Sequence, residues 1–81
     1  MTREEVMEKV TEIARDIFDD DELVLEDDTV ASDVDGWDSL THLSLMNEIE
    51  EEFGFKFVMK EVQGLKDVGE LIEAIMERIE D

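Results

Sequence analysis

The 81-residue sequence has no cysteine and no proline, one histidine, four glycines and five aromatic residues. Without cysteine there is no disulfide framework and no thiolate metal site, and one histidine cannot build a zinc site. Without proline, an internal repeat or a low-complexity stretch, nothing marks a linker between two units. The longest apolar runs are three residues, as in Leu23-Val24-Leu25, so no segment reads as a bilayer span or a signal-peptide core. Basic residues are also scarce: 7 Lys and Arg stand against 26 Asp and Glu, a formal net charge of -19. That balance argues against nucleic-acid phosphates and anionic membranes as direct partners and favours basic protein surfaces. With no span or signal-peptide core a cytoplasmic compartment is the expectation, and at this charge a monomeric state is.

Acidity of this degree also fits a disordered chain, but 42% of the residues are apolar and they are regularly spaced. The length is about half of a usual domain of ~150 residues, so a single domain over residues 1–81 is expected, with no room for most enzyme folds. A domain this small buries only about 60% of its unfolded surface, so packed helices must supply the core.

Thr2-Arg3-Glu4-Glu5 forms a capping box that starts a helix, and Val6, Val10, Ile13 and Ile17 follow at helical spacing, with Ala14 and Phe18 widening the stripe. That helix is predicted to run to about Phe18. From Asp19 to Asp38 come ten acidic residues and no basic one, with apolar anchors at Leu23, Leu25, Val30, Val34 and Trp37, a pattern that predicts a long surface loop pinned by its own side chains. Asp38 caps a second helix whose first residue is Ser39. Its apolar residues Leu43, Met46, Ile49 and Phe53, with Leu45 beside them, predict the buried stripe, and Gly54 ends it. Phe55 to Phe57 read as a buried linker, Met59 to Gln63 as a short helix stopped by Gly64. Asp67 and Glu70 start a last helix with a stripe of Val68, Leu71, Ile72, Ile75 and Ile79. The expected core draws on Leu45, Met46, Ile49, Val62, Leu65, Leu71 and Ile75. The fold class is all-α: a four-helix bundle with one long crossover loop and a short third helix.

Gly36-Trp37-Asp38-Ser39-Leu40 places a serine hydroxyl at the start of an amphipathic helix, directly after the long loop. Free N–H groups and about half a positive charge gather at such a terminus, which suits a phosphate esterified to that serine. This segment, followed by a helix ending Glu50-Glu51-Glu52-Phe53-Gly54, resembles the acyl carrier protein family. The likeness extends over nearly the whole chain, through its acidity, its long first loop, its short third helix and its final Val68/Leu71/Ile72/Ile75 stripe.

The resemblance implies that Ser39 receives a 4'-phosphopantetheine arm from coenzyme A, attached by a separate phosphopantetheinyl transferase. The arm's thiol would then hold an acyl or aminoacyl group as a thioester for a loading ligase or transferase and for downstream synthases with basic patches. The chain itself would perform no catalysis. Asp38 would fix the Ser39 backbone, and Leu40 would contact the modifying enzyme. Ser44, Asn47, Glu48, Glu50 and Glu51 would form the exposed partner-recognition side of the second helix. No Lys or Arg occurs between Arg15 and Lys56 while 15 acids do, a negative field that steers basic partners. Thr41 and Ser44 stand where fatty-acid-synthesis carriers frequently have acids, and Trp37 looks more like carriers of specialised pathways. In the family the core opens for acyl chains, and the methionines here suit such opening.

Competing readings are weaker. His42 lies one turn after Ser39 and could approach a phosphodiester, or could be a lone exposed histidine. A Ser39-His42-Asp hydrolase fails because helix neighbours supply neither a third orienting group nor an oxyanion hole. Aligning Gly36 with the sixth position of a calcium loop puts Ala31 at the first and His42 at the twelfth, where acids are required, so no metal site is predicted. The remaining alternative is a non-modified acidic adaptor that binds basic protein surfaces through the second helix.

Overall fold

The computed structural model describes residues 2–79. Helix α1, Arg3–Ile17, begins at the expected capping box: Thr2 Oγ1 accepts the Glu5 N–H at 3.2 Å and Glu5 Oε1 accepts the Thr2 N–H at 2.9 Å. The Thr2 N–H first, and then the Thr2 hydroxyl, hold the Glu5 carboxyl below the usual glutamate range. The helix closes on Asp19 in the left-handed conformation at φ 53°, while Asp20 N–H reaches back to Arg15 O at 3.0 Å. Asp tolerates that conformation better than a branched residue does.

Helix α2, Ser39–Phe53, ends at Gly54 in the left-handed conformation as predicted, with Phe55 N–H bonded to Glu50 O. Helix α3 is Met59–Gln63 and helix α4 is Val68–Ile79. The Glu61 carboxyl accepts the Val58 N–H, which holds it below the usual range ahead of its pairing with Arg78. Asp67 Oδ1 accepts the Glu70 N–H at 2.9 Å, while Glu70 reaches past Asp67 to the Lys66 N–H at 3.2 Å. The helical bundle is therefore all-α among the described residues, with α1 packed on both α2 and α4.

The core is built from Val6, Val10 and Ala14 of α1, Leu45, Met46 and Ile49 of α2, and Val68, Leu71, Ile72 and Ile75 of α4. Two loop anchors, Leu25 and Val34, complete it. Leu23 and Trp37 pack against this cluster from its edge. Three expectations need correction. Leu43 is 54% exposed, because the buried face of α2 is centred on Leu45 and Ile49, two and six residues further on. Val62 and Leu65 are half-buried, since the five-residue α3 lies over the bundle's edge. Ile13 and Ile17 likewise flank the core while Ala14 enters it.

The crossover between α1 and α2 is less irregular than the sequence suggests. It contains one 3₁₀ turn, Ala31–Asp33, capped by Asp33 Oδ2 on the Val30 N–H at 3.1 Å. Arg15 Nε donates to Leu23 O at 2.7 Å. Arg3 pairs with Asp27 at 2.8 Å and Glu73 at 3.1 Å, tying loop and α4 to α1, and the Asp27 bond is the main reason its guanidinium is held above its usual range. These pairs are exposed and contribute little individually. Backbone bonds hold the loop more firmly: Val68 N–H donates to Thr29 O at 2.9 Å and Gly69 N–H to Asp27 O at 2.8 Å.

At Gly69 the loop passes so close to α4 that a Cβ would lie 2.8 Å from Asp27 O. Gly69→Ala gains up to about 1 kcal/mol in helix propensity. It also forces apart two backbones joined by both of those hydrogen bonds, an overpacking cost of about 1–3 kcal/mol. The close approach should win, lowering the unfolding free energy read from urea denaturation by a net of about 1 kcal/mol. A more stable Gly69→Ala variant would show that the loop does not sit this close.

Candidate functional site

The segment before α2 is shaped by a turn. Gly36 has φ 86°, a conformation a side chain would strain, and it reverses the chain so that Trp37 turns inward against Phe18, with ring centroids 5.4 Å apart. Asp38 then caps α2. Its Oδ1 accepts the Thr41 N–H at 2.9 Å, and Thr41 Oγ1 accepts the Asp38 N–H at 2.8 Å, a reciprocal box with threonine at the third position. The Thr41 hydroxyl also donates to Gly36 O at 2.7 Å. The Thr41 N–H first, and its hydroxyl second, hold the Asp38 carboxyl below the usual aspartate range. The sequence marked Thr41 only as a departure from acidic relatives. Its role as the cap's second half was legible in the Asp-x-x-Thr spacing.

Ser39 is therefore the first residue of a well-anchored 15-residue helix, and it is exposed. It borders a groove of about 600 Å³ that also takes in Trp37, Asp38, His42, Leu43, Val62 and Gln63. Leu40, 75% exposed, stands next to it, and with Leu43 gives the start of α2 an apolar outer surface. Another groove of about 540 Å³ lies among Arg3, Asp27, Glu61, Glu70, Glu73 and Glu77, on the α3–α4 side. Half of its lining residues are carboxylates and none carries a hydroxyl, so it offers no oxygen for a phosphodiester like that expected on Ser39.

Ser44, Asn47, Glu48 and Glu51 are exposed along α2, and no ion pair reaches Glu48 or Glu51 among the described residues. Glu50 differs from them. It is half-buried, and its Oε2 accepts the Phe57 N–H at 2.6 Å, so this carboxylate secures the linker after α2 instead of lying free on the helix surface.

His42 is not a lone histidine in solvent: it is half-buried and both ring nitrogens have partners. Trp37 Nε1–H donates to its Nδ1 at 3.1 Å, and its Nε2 lies 3.3 Å from Val62 O, so one ring joins the loop, α2 and α3. A signal for this was present: His42 precedes Leu45 and Met46 by three and four residues and Ile49 by seven, which places it on the buried face.

Removing the cap tests how far it fixes Ser39. Asp38→Ala should lower the thermal midpoint by about 5 °C at neutral pH. Because the folded carboxyl titrates below its unfolded range, its contribution is present above that range and is lost as pH falls through the folded one. The gap between Asp38→Ala and the parent should accordingly narrow in acid. An equal gap at pH 7 and pH 2.5 would contradict the assignment of the cap.

The residues fit a phosphopantetheine group on three counts: an accessible hydroxyl, a positive helix end in an otherwise negative molecule, and an adjoining groove with apolar walls. Asp38 already faces the Thr41 N–H, so like charge would direct an ester phosphate outward from Ser39. Comparison with known proteins agrees. The phosphopantetheine attachment site family matches residues 8–75, and the chain belongs to that family. The solution NMR structure of a holo acyl carrier protein from Geobacter metallireducens is similar, with a TM-score of 0.85 and 39% identity over 91% of this chain and 85% of that one. A search of curated proteins gives no match. The fold is thus that of an acyl carrier protein, a carrier and not an enzyme, whose prosthetic group is 4'-phosphopantetheine.

Proposed function

We propose that this chain is a single carrier domain that receives the 4'-phosphopantetheine arm as a phosphodiester on Ser39 and presents acyl or aminoacyl groups as thioesters at the arm's end. The observation that carries this is the placement of Ser39: the only serine at a helix start, exposed, anchored by the Asp38–Thr41 box and bordering the groove beneath α3. Trp37 and the absence of acids at Thr41 and Ser44 favour a specialised pathway over bulk fatty acid synthesis, with polyketide or aminoacyl cargo included.

The partner surface is α2. Leu40 and Leu43 supply apolar contact next to the attachment point, and Ser44, Asn47, Glu48 and Glu51 continue it toward the C-terminus. Basic patches on the transferase, the loading ligase and the synthases fit that surface, and screening by salt should slow their association. No helix among the described residues is long and apolar enough to cross a membrane. A cytoplasmic home fits that and the partners named.

Incubation with coenzyme A and a broad-specificity phosphopantetheinyl transferase tests the reading directly. Intact mass should rise by one phosphopantetheinyl group. A folded, unmodified protein with no gain would favour the acidic adaptor that works through α2 alone.

A further inference from the structure

The imidazole of His42 uses both nitrogens, and its two partners lie on different elements. Trp37 belongs to the crossover loop, and Val62 O belongs to α3, where the Val62 side chain is half-buried. An acceptor at Nδ1 and a donor at Nε2 together require the neutral ring protonated on Nε2 alone. Protonation puts an N–H on Nδ1, where it meets the indole N–H. One of the two bonds is then lost and two donors face each other.

We propose that His42 is a pH-responsive latch that holds α3 and Trp37 against the base of α2, and so sets the width of the groove beside Ser39. Trp37, His42, Val62 and Gln63 all line that groove, so release of the bridge moves its wall. The two rings lie nearly edge to edge, with centroids 6.1 Å apart and planes 26° from parallel, so the hydrogen bond is the contact that couples them and the part of the latch that responds to pH.

The charged groups bordering the two cavities on either side of the ring are Asp38 from the start of α2 and Lys66 and Asp67 from the connection between α3 and α4. The loop contributes uncharged residues there, Thr29, Ala31 and Trp37. Asp38 is committed to Thr41, and Asp67 to the Glu70 N–H. The Thr41 N–H holds the Asp38 carboxyl below the usual aspartate range, away from the range of histidine near pH 6.5. The closed form binds one proton fewer than the open form, so closure is favoured at higher pH and is lost as the ring charges.

The latch operates in the unmodified chain, so its test is independent of loading at Ser39. The sequence has one tryptophan and one histidine, which makes both partners single, unambiguous NMR signals. Between pH 8 and pH 5 the protection of the Trp37 indole N–H against exchange should fall by about tenfold, the factor carried by one hydrogen bond of ordinary strength. The Val62 and Gln63 amide shifts should move with the same midpoint as the His42 ring. His42→Asn retains an acceptor near the Nδ1 position and cannot titrate, and its indole protection should change by less than about twofold over the same range. An indole signal that stays constant through the His42 titration overturns the proposal. So does a His42→Asn variant that shows the full loss, because the carboxylates would then be responsible.

Discussion

Ser39→Ala gains no mass with coenzyme A and transferase under conditions that convert the parent completely, and it melts within about 4 °C of the parent. The first half follows from chemistry: the side-chain oxygen is the atom that bonds to phosphorus, and alanine has none. The second follows from position. Ser39 is exposed at the first position of α2, and the bonds that secure this turn run between Asp38, Thr41 and Gly36. An exposed substitution away from a cap or core changes stability by no more than about 0.5 kcal/mol, which for a domain of this size corresponds to a few degrees. The pairing of complete loss with an intact fold is what identifies an attachment point. Loading of the alanine variant would move the site to another hydroxyl, Ser44 or Thr41 being nearest in sequence. Loss accompanied by unfolding would mean that the serine supports the structure.

Much of the fold could be read from residues whose physics is local. Thr2 with Glu5, Asp38, Gly54 and Asp67 with Glu70 each satisfy or terminate a helix end within a few residues, so the starts of α1 and α4 and both ends of α2 were readable from spacing alone. The stripe of α4 was equally clear, whereas that of α1 held at Val6 and Val10 but gave way to Ala14 in place of Ile13 and Ile17. Helix α2 was harder. Its apolar residues Leu40, Leu43, Leu45, Met46 and Ile49 cover more than half the circumference, and two different stripes satisfy the helical period. Which one is buried depends on where α1 lies, a long-range fact. Treating His42 as polar removed the residue that would have decided it, since the His42, Leu45, Ile49 series points to the buried side.

The loop shows the same limit. Its anchors at Leu25 and Val34 were visible as apolar residues in an acidic stretch. Its ties through Arg15, Thr29 and Asp27 join residues 8 to about 40 positions apart, which no local pattern encodes. Glu50 is the corresponding case on the proposed partner surface of α2. By spacing it belongs to the acidic row, but it turns to the Phe57 N–H because the linker after α2 folds back over it. The exposed serine proposed as the attachment point and its cap residue Asp38 were therefore legible in five consecutive residues, while Thr41 as the cap's second half, the bridge at His42 and the groove wall at Val62 were supplied by the tertiary structure.

The ambiguity of α2 also yields the largest expected loss of stability. Ile49 is fully buried among α1, α2 and α4, and Leu43, six residues earlier on the same helix, is 54% exposed. Ile49→Ala removes the transfer free energy of the deleted carbons and leaves a cavity that small helices close only in part, a cost of about 2–5 kcal/mol. A domain of 81 residues has a total stability of roughly 4–12 kcal/mol, so this one change removes between about a sixth and all of it. Leu43→Ala deletes comparable carbon from a surface already in water and should cost within about 0.5 kcal/mol. Urea unfolding followed through the single tryptophan, which packs on Phe18 at the core's edge, reads both variants on one scale. A large Leu43 effect with a small Ile49 effect would mean that α2 is rotated about its axis, turning Leu43 inward. In that arrangement His42 could not lie between Trp37 and Val62, and Leu43 would leave the apolar surface beside Ser39. The ratio of these two losses therefore tests the orientation of α2, on which the packed core, the latch and the partner surface all depend.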